Sequence, residues 1–168
     1  MDRLPSRAAA TEKNLEKRIR DALEEDRVVD ITTTGRLSGT PRRIEIWFFR
    51  ARGCIYLTGA PGRRRSWYQN LVAEPALTFH LKQSARADLD ATAFPIVDHE
   101  SRVAILREVL AQLKPGIPAD WMPGLSEEAR AATNESFALI SADPEAALPQ
   151  WLDESPLVEV RFSTSDVD

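Results

Sequence analysis

The sequence predicts an α+β fold in which several antiparallel strands form a small barrel with helices at its periphery. Three observations carry this expectation. Six short segments are β-branched or alternate apolar with polar residues, the two-residue period of a strand. Other stretches repeat apolar residues at helical spacing or open on a helix-capping residue. A tight Ala-Arg-Gly turn joins two of the strand segments, which makes those neighbours antiparallel.

Taken in order, residues 11–26 read as a helix, with Thr11 at the N-cap and Leu15, Ile19, Ala22 and Leu23 at helical spacing. VVDITTT (28–34) is β-branched except at Asp30 and is a strand. GRLSGTP (35–41), with two glycines and a proline, is a loop. RRIEIWFF (42–49) alternates, setting Ile44, Ile46 and Phe48 on one face and Arg43, Glu45 and Trp47 on the other. Ala51-Arg52-Gly53 turns the chain into the strand CIYLT (54–58). Ser66 caps a short helix that ends before Glu74-Pro75, since a residue preceding proline avoids the helical region.

LTFHLK (77–82) points Leu77, Phe79 and Leu81 inward, and a further strand covers 85–94. Asp98 opens a helix with an apolar stripe of Val103, Leu106, Val109, Leu110 and Leu113. Residues 114–124 form a Pro/Gly-rich connection. Helices follow near 126–140 and 144–152, the second with Asp143 as N-cap and Pro144 at its first position. LVEVRF (157–162) is the last strand, with Val158, Val160 and Phe162 on one face. The expected organisation is one domain over 1–168: an N-terminal helix (about 11–26), a barrel (28–94 plus 157–162) and a helical elaboration (98–152).

Composition narrows the function. No apolar run reaches membrane-spanning length, and residues 1–18 lack the apolar core of a signal peptide. Cys54 is the only cysteine, which fits a reducing cytoplasm. His80 and His99 are too few and too far apart for a zinc site, so no metal is expected. The net charge is −4, yet residues 35–65 hold eight arginines against the single Glu45, a local charge of +7. A basic island in an acidic chain suits a local anion site better than nucleic acid, whose binders tend to be basic over a whole face.

Two segments sharpen that reading. In TTTGRLSGTPRR, Gly35 and Gly39 permit close approach, so backbone N–H groups, Ser38 and the arginines surround an anion. It is not a P-loop, because no Lys-Ser/Thr follows the second glycine. In GRRRSWYQN, a helix starting at Ser66 directs the positive end of its dipole toward Arg63, Arg64 and Arg65. Side-by-side arginines repel one another, and a bound polyanion relieves that. His80 reads as a surface or hydrogen-bonded residue, and Trp121 and Trp151 as loop anchors.

Together these segments, followed by Trp-Tyr-x-Asn-Leu, resemble the deazaflavin-dependent nitroreductase family, flavin-reductase-like split β-barrels related to pyridoxamine phosphate oxidases. The resemblance implies a split barrel that binds reduced coenzyme F-420 and passes hydride to a small-molecule acceptor such as a quinone or nitroaromatic. The alternatives are FMN as cofactor, or a module that holds a flavin or heme without turnover. By position it implies a site of Arg36, Leu37, Ser38, Gly39 and Arg42 in the loop, with Arg43, Ile44, Trp47, Leu57 and Thr58 beside the ring. Arg63, at the family's lysine position, joins Arg64, Ser66, Trp67, Tyr68 and Asn70 under the tail. Glu45 stands in the same strand, where a carboxylate facing the ring would disfavour an anionic deazaflavin. No side chain of this chain is singled out as catalytic, because the cofactor itself carries the chemistry. A homodimer is expected, since an open barrel leaves edges to cover.

Overall fold

In the computed structural model, Val28–Thr34 (β1), Pro41–Ala51 (β2), Cys54–Thr58 (β3), Ala76–Leu81 (β4), Ala87–Pro95 (β5) and Leu157–Phe162 (β6) close into an antiparallel barrel. The strand order is β1–β2–β3–β6–β5–β4, and β4 returns to pair with β1 through Ile31 and Phe79. The structure describes residues 7–62, 65–118, 122 and 124–163, with side chains from Glu16 onward. Arg63, Arg64 and Trp121 lie outside the described residues. The helices are Arg7–Glu25 (α1), Ser66–Ala73 (α2), His99–Gln112 (α3), Glu127–Ala142 (α4) and Pro144–Glu154 (α5). Among the described residues, no helix is long and apolar enough to cross a membrane.

Strand alternation decides the core. Ile31, Phe48, Leu57, Phe79, Val158 and Val160 point into the barrel, where Phe48 and Phe79 meet edge-on at 5.2 Å. Ile19, Ala22 and Leu23 of α1, and Trp67 and Leu71 of α2, join the same cluster. The opposite face of β2 and β3 is also apolar. Phe49, Ala51 and Tyr56 pack against Leu106, Val109 and Leu110 of α3 and Leu148 and Trp151 of α5. The barrel therefore has two cores, one inside it and one between its wall and the helices. Trp151 is part of this second core and not of a loop.

The Ala51–Cys54 turn has Arg52 at φ 50° and Gly53 at φ 77°. Two consecutive positive φ angles match the twist of the flanking strands, so β2 and β3 form a tight hairpin. Asp98 caps α3 by accepting from Ser101 N–H at 2.9 Å, and Asp143 caps α5 by accepting from Ala146 N–H at 3.2 Å. Two other caps are displaced from their expected residues. The helix of α1 is already running at Arg7, so Thr11 is interior to it; the alanines at 8–10 are strong helix formers. Ser66 is the first residue of α2, and Arg65 is its N-cap, with no side-chain cap bond.

Ile44 also departs from expectation: it shares a face with Ile46 and Phe48 but is 36 % exposed. The reason is pairing. β3 reaches β2 only over Phe48–Ala51, while residues 41–47 pair with β1 alone. The strands close into a ring, so the edge that remains on β2 is the side of residues 41–47 that β3 does not reach.

Outside the barrel, β1, β2 and β4 present an ion network. Asp30 accepts from Lys82 Nζ at 2.6 Å and from Arg43 Nε at 3.0 Å, and Lys82 also bonds Glu45. Beside it, buried His80 lies between Thr32 Oγ1 and Asp88 Oδ1, each at 2.7 Å. Burial pushes the Asp30 carboxyl up, but the bonds from Lys82 and Arg43 outweigh it and hold the group below the usual carboxylate range.

Two outcomes follow for stability. Phe48→Ala should cost about 3–5 kcal/mol, read from urea unfolding, because it empties the centre of the barrel. A depressed carboxylate stabilises the fold above its unfolded pKa near 4 and loses that contribution as pH falls through the folded value. Asp30→Asn should therefore destabilise by about 1 kcal/mol at pH 7, with the deficit shrinking toward pH 3. An equal deficit at both pH values would contradict this account.

Candidate functional site

The β1–β2 connection is tight. Gly35 N–H donates to Thr40 O at 2.8 Å, and Gly39 N–H, from a φ of 69°, donates to Gly35 O at 2.7 Å. A Cβ on Gly35 would fall 2.5 Å from Ser38 Oγ, so any side chain there would displace the Ser38 hydroxyl. This folding turns Arg36, Leu37 and Ser38 outward, and Leu37 is 91 % exposed.

Buried Asn70 fixes the loop to α2. Its Nδ2 donates to Thr33 Oγ1 at 3.1 Å, and its Oδ1 accepts from Arg36 N–H at 3.1 Å. Trp67, one turn earlier, sits in the barrel core and presents part of its surface beside the loop. Packing and positioning are thus combined in the same turn of α2.

Three adjoining cavities result. The first, about 400 Å³, is lined by Gly35, Arg36, Leu37, Ser38, Arg42, Ile44, Ser66, Trp67 and Asn70, among others. The second, about 610 Å³, shares Arg36 and Ser66 with it and adds Arg65, Tyr68, Gln69, Arg102 and the 153–156 corner. The third, about 490 Å³, is a mainly apolar cleft between the outer face of β2–β3 and the helices, and it shares Arg65 with the second. Trp47 and Thr58 line that cleft, and Trp47 meets Phe137 of α4 edge-on at 5.7 Å.

The expected residues therefore divide. Arg36, Leu37, Ser38, Arg42, Ile44, Ser66, Trp67, Tyr68 and Asn70 come together around the first two cavities. Gly39 shapes the loop without lining a cavity. Arg43 turns away to Asp30, and the Leu57 side chain is fully buried inside the barrel. Glu45 lines the cleft with its charge held by Lys82.

Gln69 and Arg102 escaped the sequence reading of the site, whereas Arg65, read there as one of three arginines around an anion, does line the second cavity. Arg102 donates to the carbonyls of Ile96, Leu152 and Ser155, so it ties α3 to the end of α5 at the groove wall. Burial holds its pKa below the usual guanidinium value, against a smaller opposite influence of Tyr68. Its only signal in the sequence is a position four residues after the Asp98 cap, which points to no ligand.

Charge is distributed unevenly over the basic island. Arg43 pairs with Asp30 and Arg50 lies 3.7 Å from Glu24, both acids from outside residues 35–65. Among the described residues, Arg36 and Arg42 have no carboxylate partner, and both border the first cavity.

A family model described as F420H(2)-dependent quinone reductase matches residues 6–118. Solved structures of similar shape include a candidate pyridoxamine 5'-phosphate oxidase from Listeria innocua, 12 % identical with a TM-score of 0.51 over 89 % of this chain and 94 % of that one. Another is a Clostridium acetobutylicum protein of the pyridoxinephosphate oxidase family, 10 % identical with a TM-score of 0.50 over 89 % and 84 %. An F420-H2 dependent reductase aligns at 20 % identity and a TM-score of 0.42, over 81 % and 95 %. The barrel is of the split type that these oxidase-like neighbours share.

The Asn70 bridge can be tested without any ligand. Asn70→Ala strands the Thr33 hydroxyl and the Arg36 amide and should cost about 1–3 kcal/mol. Hydrogen exchange at Arg36 should quicken in that variant and stay slow in Asn70→Asp, which keeps the accepting oxygen. Slow exchange in both would show that the loop is held by other contacts.

Proposed function

The chain belongs to the F420H(2)-dependent quinone reductase family, and from that premise we propose that the 35–42 loop and the start of α2 hold the tail of reduced coenzyme F-420 while hydride passes to a quinone. A nitroaromatic or similar electron-poor acceptor falls within the same proposal. The observation that carries it is the pair of guanidinium groups, Arg36 and Arg42, left without carboxylate partners on a glycine-tightened loop bonded to α2.

The donor set fits a polyanion. Guanidinium forks match phosphate and carboxylate oxygens, the first turn of α2 offers backbone N–H groups, and Ser38 and Ser66 add hydroxyls. Gly35 keeps the loop narrow enough for its backbone to approach a ligand. Arg63 and Arg64, which precede α2 in the sequence, belong to the same proposed anion site. When bound, the deazaflavin supplies the hydride. The chain itself binds through Arg36 and Arg42, orients the loop through Asn70, and keeps water from the aromatic wall with Trp47 and Trp67. Lys82 neutralises Glu45, which removes the objection to an anionic ring beside β2. The reaction is placed in the cytoplasm, in keeping with the lone Cys54.

Titration with oxidised F-420, followed by fluorescence, tests the reading. A charge-assisted hydrogen bond contributes about 1.5–3 kcal/mol, or roughly 10- to 150-fold in Kd. Arg36→Ala and Arg42→Ala should each weaken binding by a factor in that range. Added salt should weaken the wild type more than either variant. Arg50→Ala, near Glu24 on the far hairpin, should stay within about twofold. If all three variants bind like the wild type, the loop is solvated surface and the reading falls.

A further inference from the structure

Arg65 is the member of the arginine run to which the family resemblance gives no position in the site, and it stands at a junction. It lines both the 610 Å³ groove and the 490 Å³ apolar cleft. Its Nη2 donates to Ala60 O at 2.5 Å. Its guanidinium lies against Gly59 so closely that a Cβ there would come 2.3 Å from the guanidinium carbon. What the glycine provides is room: any side chain at 59 would displace the Arg65 head.

The cleft beyond it is walled by Trp47, Phe49, Leu113, Phe137 and Trp151. The other charged residue along it, Glu45, is bonded to Lys82. Among the described residues, Arg65 is the only cation lining this mainly apolar cleft. Phe137 of α4 and Trp151 of α5 lie beyond the stretch that matches the family model, so the helical side of this wall is formed outside it.

Resting on the function proposed above, we propose that Arg65 is a catalytic residue on the acceptor side. Its guanidinium contacts a carbonyl oxygen of a quinone seated in the cleft and stabilises the negative charge that the oxygen gains. In the step, a C–H bond of the reduced deazaflavin breaks and its hydride bonds to the acceptor. The deazaflavin loses two electrons, the quinone gains two, and the hydroquinone monoanion takes one proton from water. A fixed cation beside apolar walls acts on such developing charge more strongly than it would in bulk water. The bond to Ala60 O holds the head in place before the acceptor arrives, so little reorganisation is needed. Arginine has five donor N–H groups in a planar fork, so the Ala60 bond is compatible with a second contact to a bound oxygen.

The full-length protein is compared with Arg65→Met, Arg65→Lys and Gly59→Ala, with melting temperature as the folding check. Two measurements are made without turnover. F-420 affinity is read by cofactor fluorescence, and ligand binding to the cofactor-free cleft by quenching of Trp47 and Trp151. The ligands are menadione, which is neutral, and 2-hydroxy-1,4-naphthoquinone, which is an anion at pH 7. Arg65→Met should keep F-420 affinity within about threefold and lose about tenfold for the anionic ligand alone. Its kcat with menadione should fall about 100-fold, the effect of removing one oxyanion donor. Arg65→Lys should recover part of that loss. Gly59→Ala, which keeps the charge but moves it, should lower kcat about tenfold.

The outcomes separate. If the wild type neither binds F-420 nor reduces menadione, the proposed function falls, and with it this role for Arg65. If the wild type turns over and Arg65→Met matches it in kcat and anion preference, the inference alone is overturned. If Arg65→Met loses F-420 affinity in step with kcat/KM, Arg65 serves the cofactor tail and the acceptor-side role is overturned.

Discussion

β2 has 11 residues and β3 has 5, and this mismatch organises the molecule. Where the two strands overlap, both faces of β2 are buried, one by the barrel core and the other by α3 and α5. Where β3 stops short, β2 continues with only β1 beside it, and the side chains of residues 41–45 are open to solvent. Arg42 and Ile44 stand on that free half, and the loop carrying Arg36 and Ser38 closes it. A strand that had matched its partner would have been covered along its length. The cavity beside the loop exists because the hairpin is uneven.

A second condition is that the free half be held still. A two-stranded ribbon has little cohesion by itself in water. Here one buried amide, Asn70, ties the loop end of the ribbon to a helix whose own Trp67 is anchored in the barrel. The site thus takes its rigidity from the core through a chain of two residues in a single turn of α2. Arg102 does similar work on the opposite wall by gathering three backbone carbonyls at the foot of α5.

Much of the fold was legible because local signals agreed. VVDITTT, CIYLT and LVEVRF become strands at the limits that their alternation or β-branching indicates, and Asp98 and Asp143 cap the helices they precede. Thr11 and Ser66 misled because each is a good cap by type, while the preceding residues settle where a helix starts. Of the site, the Gly-rich loop and the Trp-Tyr-x-Asn turn were readable, since glycine and asparagine there answer local backbone needs. The apolar cleft was not, because Trp47, Leu113, Phe137 and Trp151 meet only after the helices dock. The charge count of residues 35–65 overstated the anion site for the same reason. Strand pairing and helix packing bring in Asp30 and Glu24, which no window along the chain includes.

The position of β6 between β3 and β5 has a consequence for how the chain reaches this structure. The pairings of β1 with β2, β2 with β3 and β4 with β5 join neighbours in sequence, and these hairpins form with little loop-closure entropy. Both partners of β6 are distant: Ile55 pairs with Val160, and Ala93 with the same Val160. The ring can shut only when a segment separated from β5 by three helices arrives between two strands that are already made. Closure by β6, like the pairing of β1 with β4, is a non-local step, the kind that slows folding. Until it occurs, β3 and β5 are bare edges bordering an apolar interior, the kind of surface on which nascent chains stick to one another.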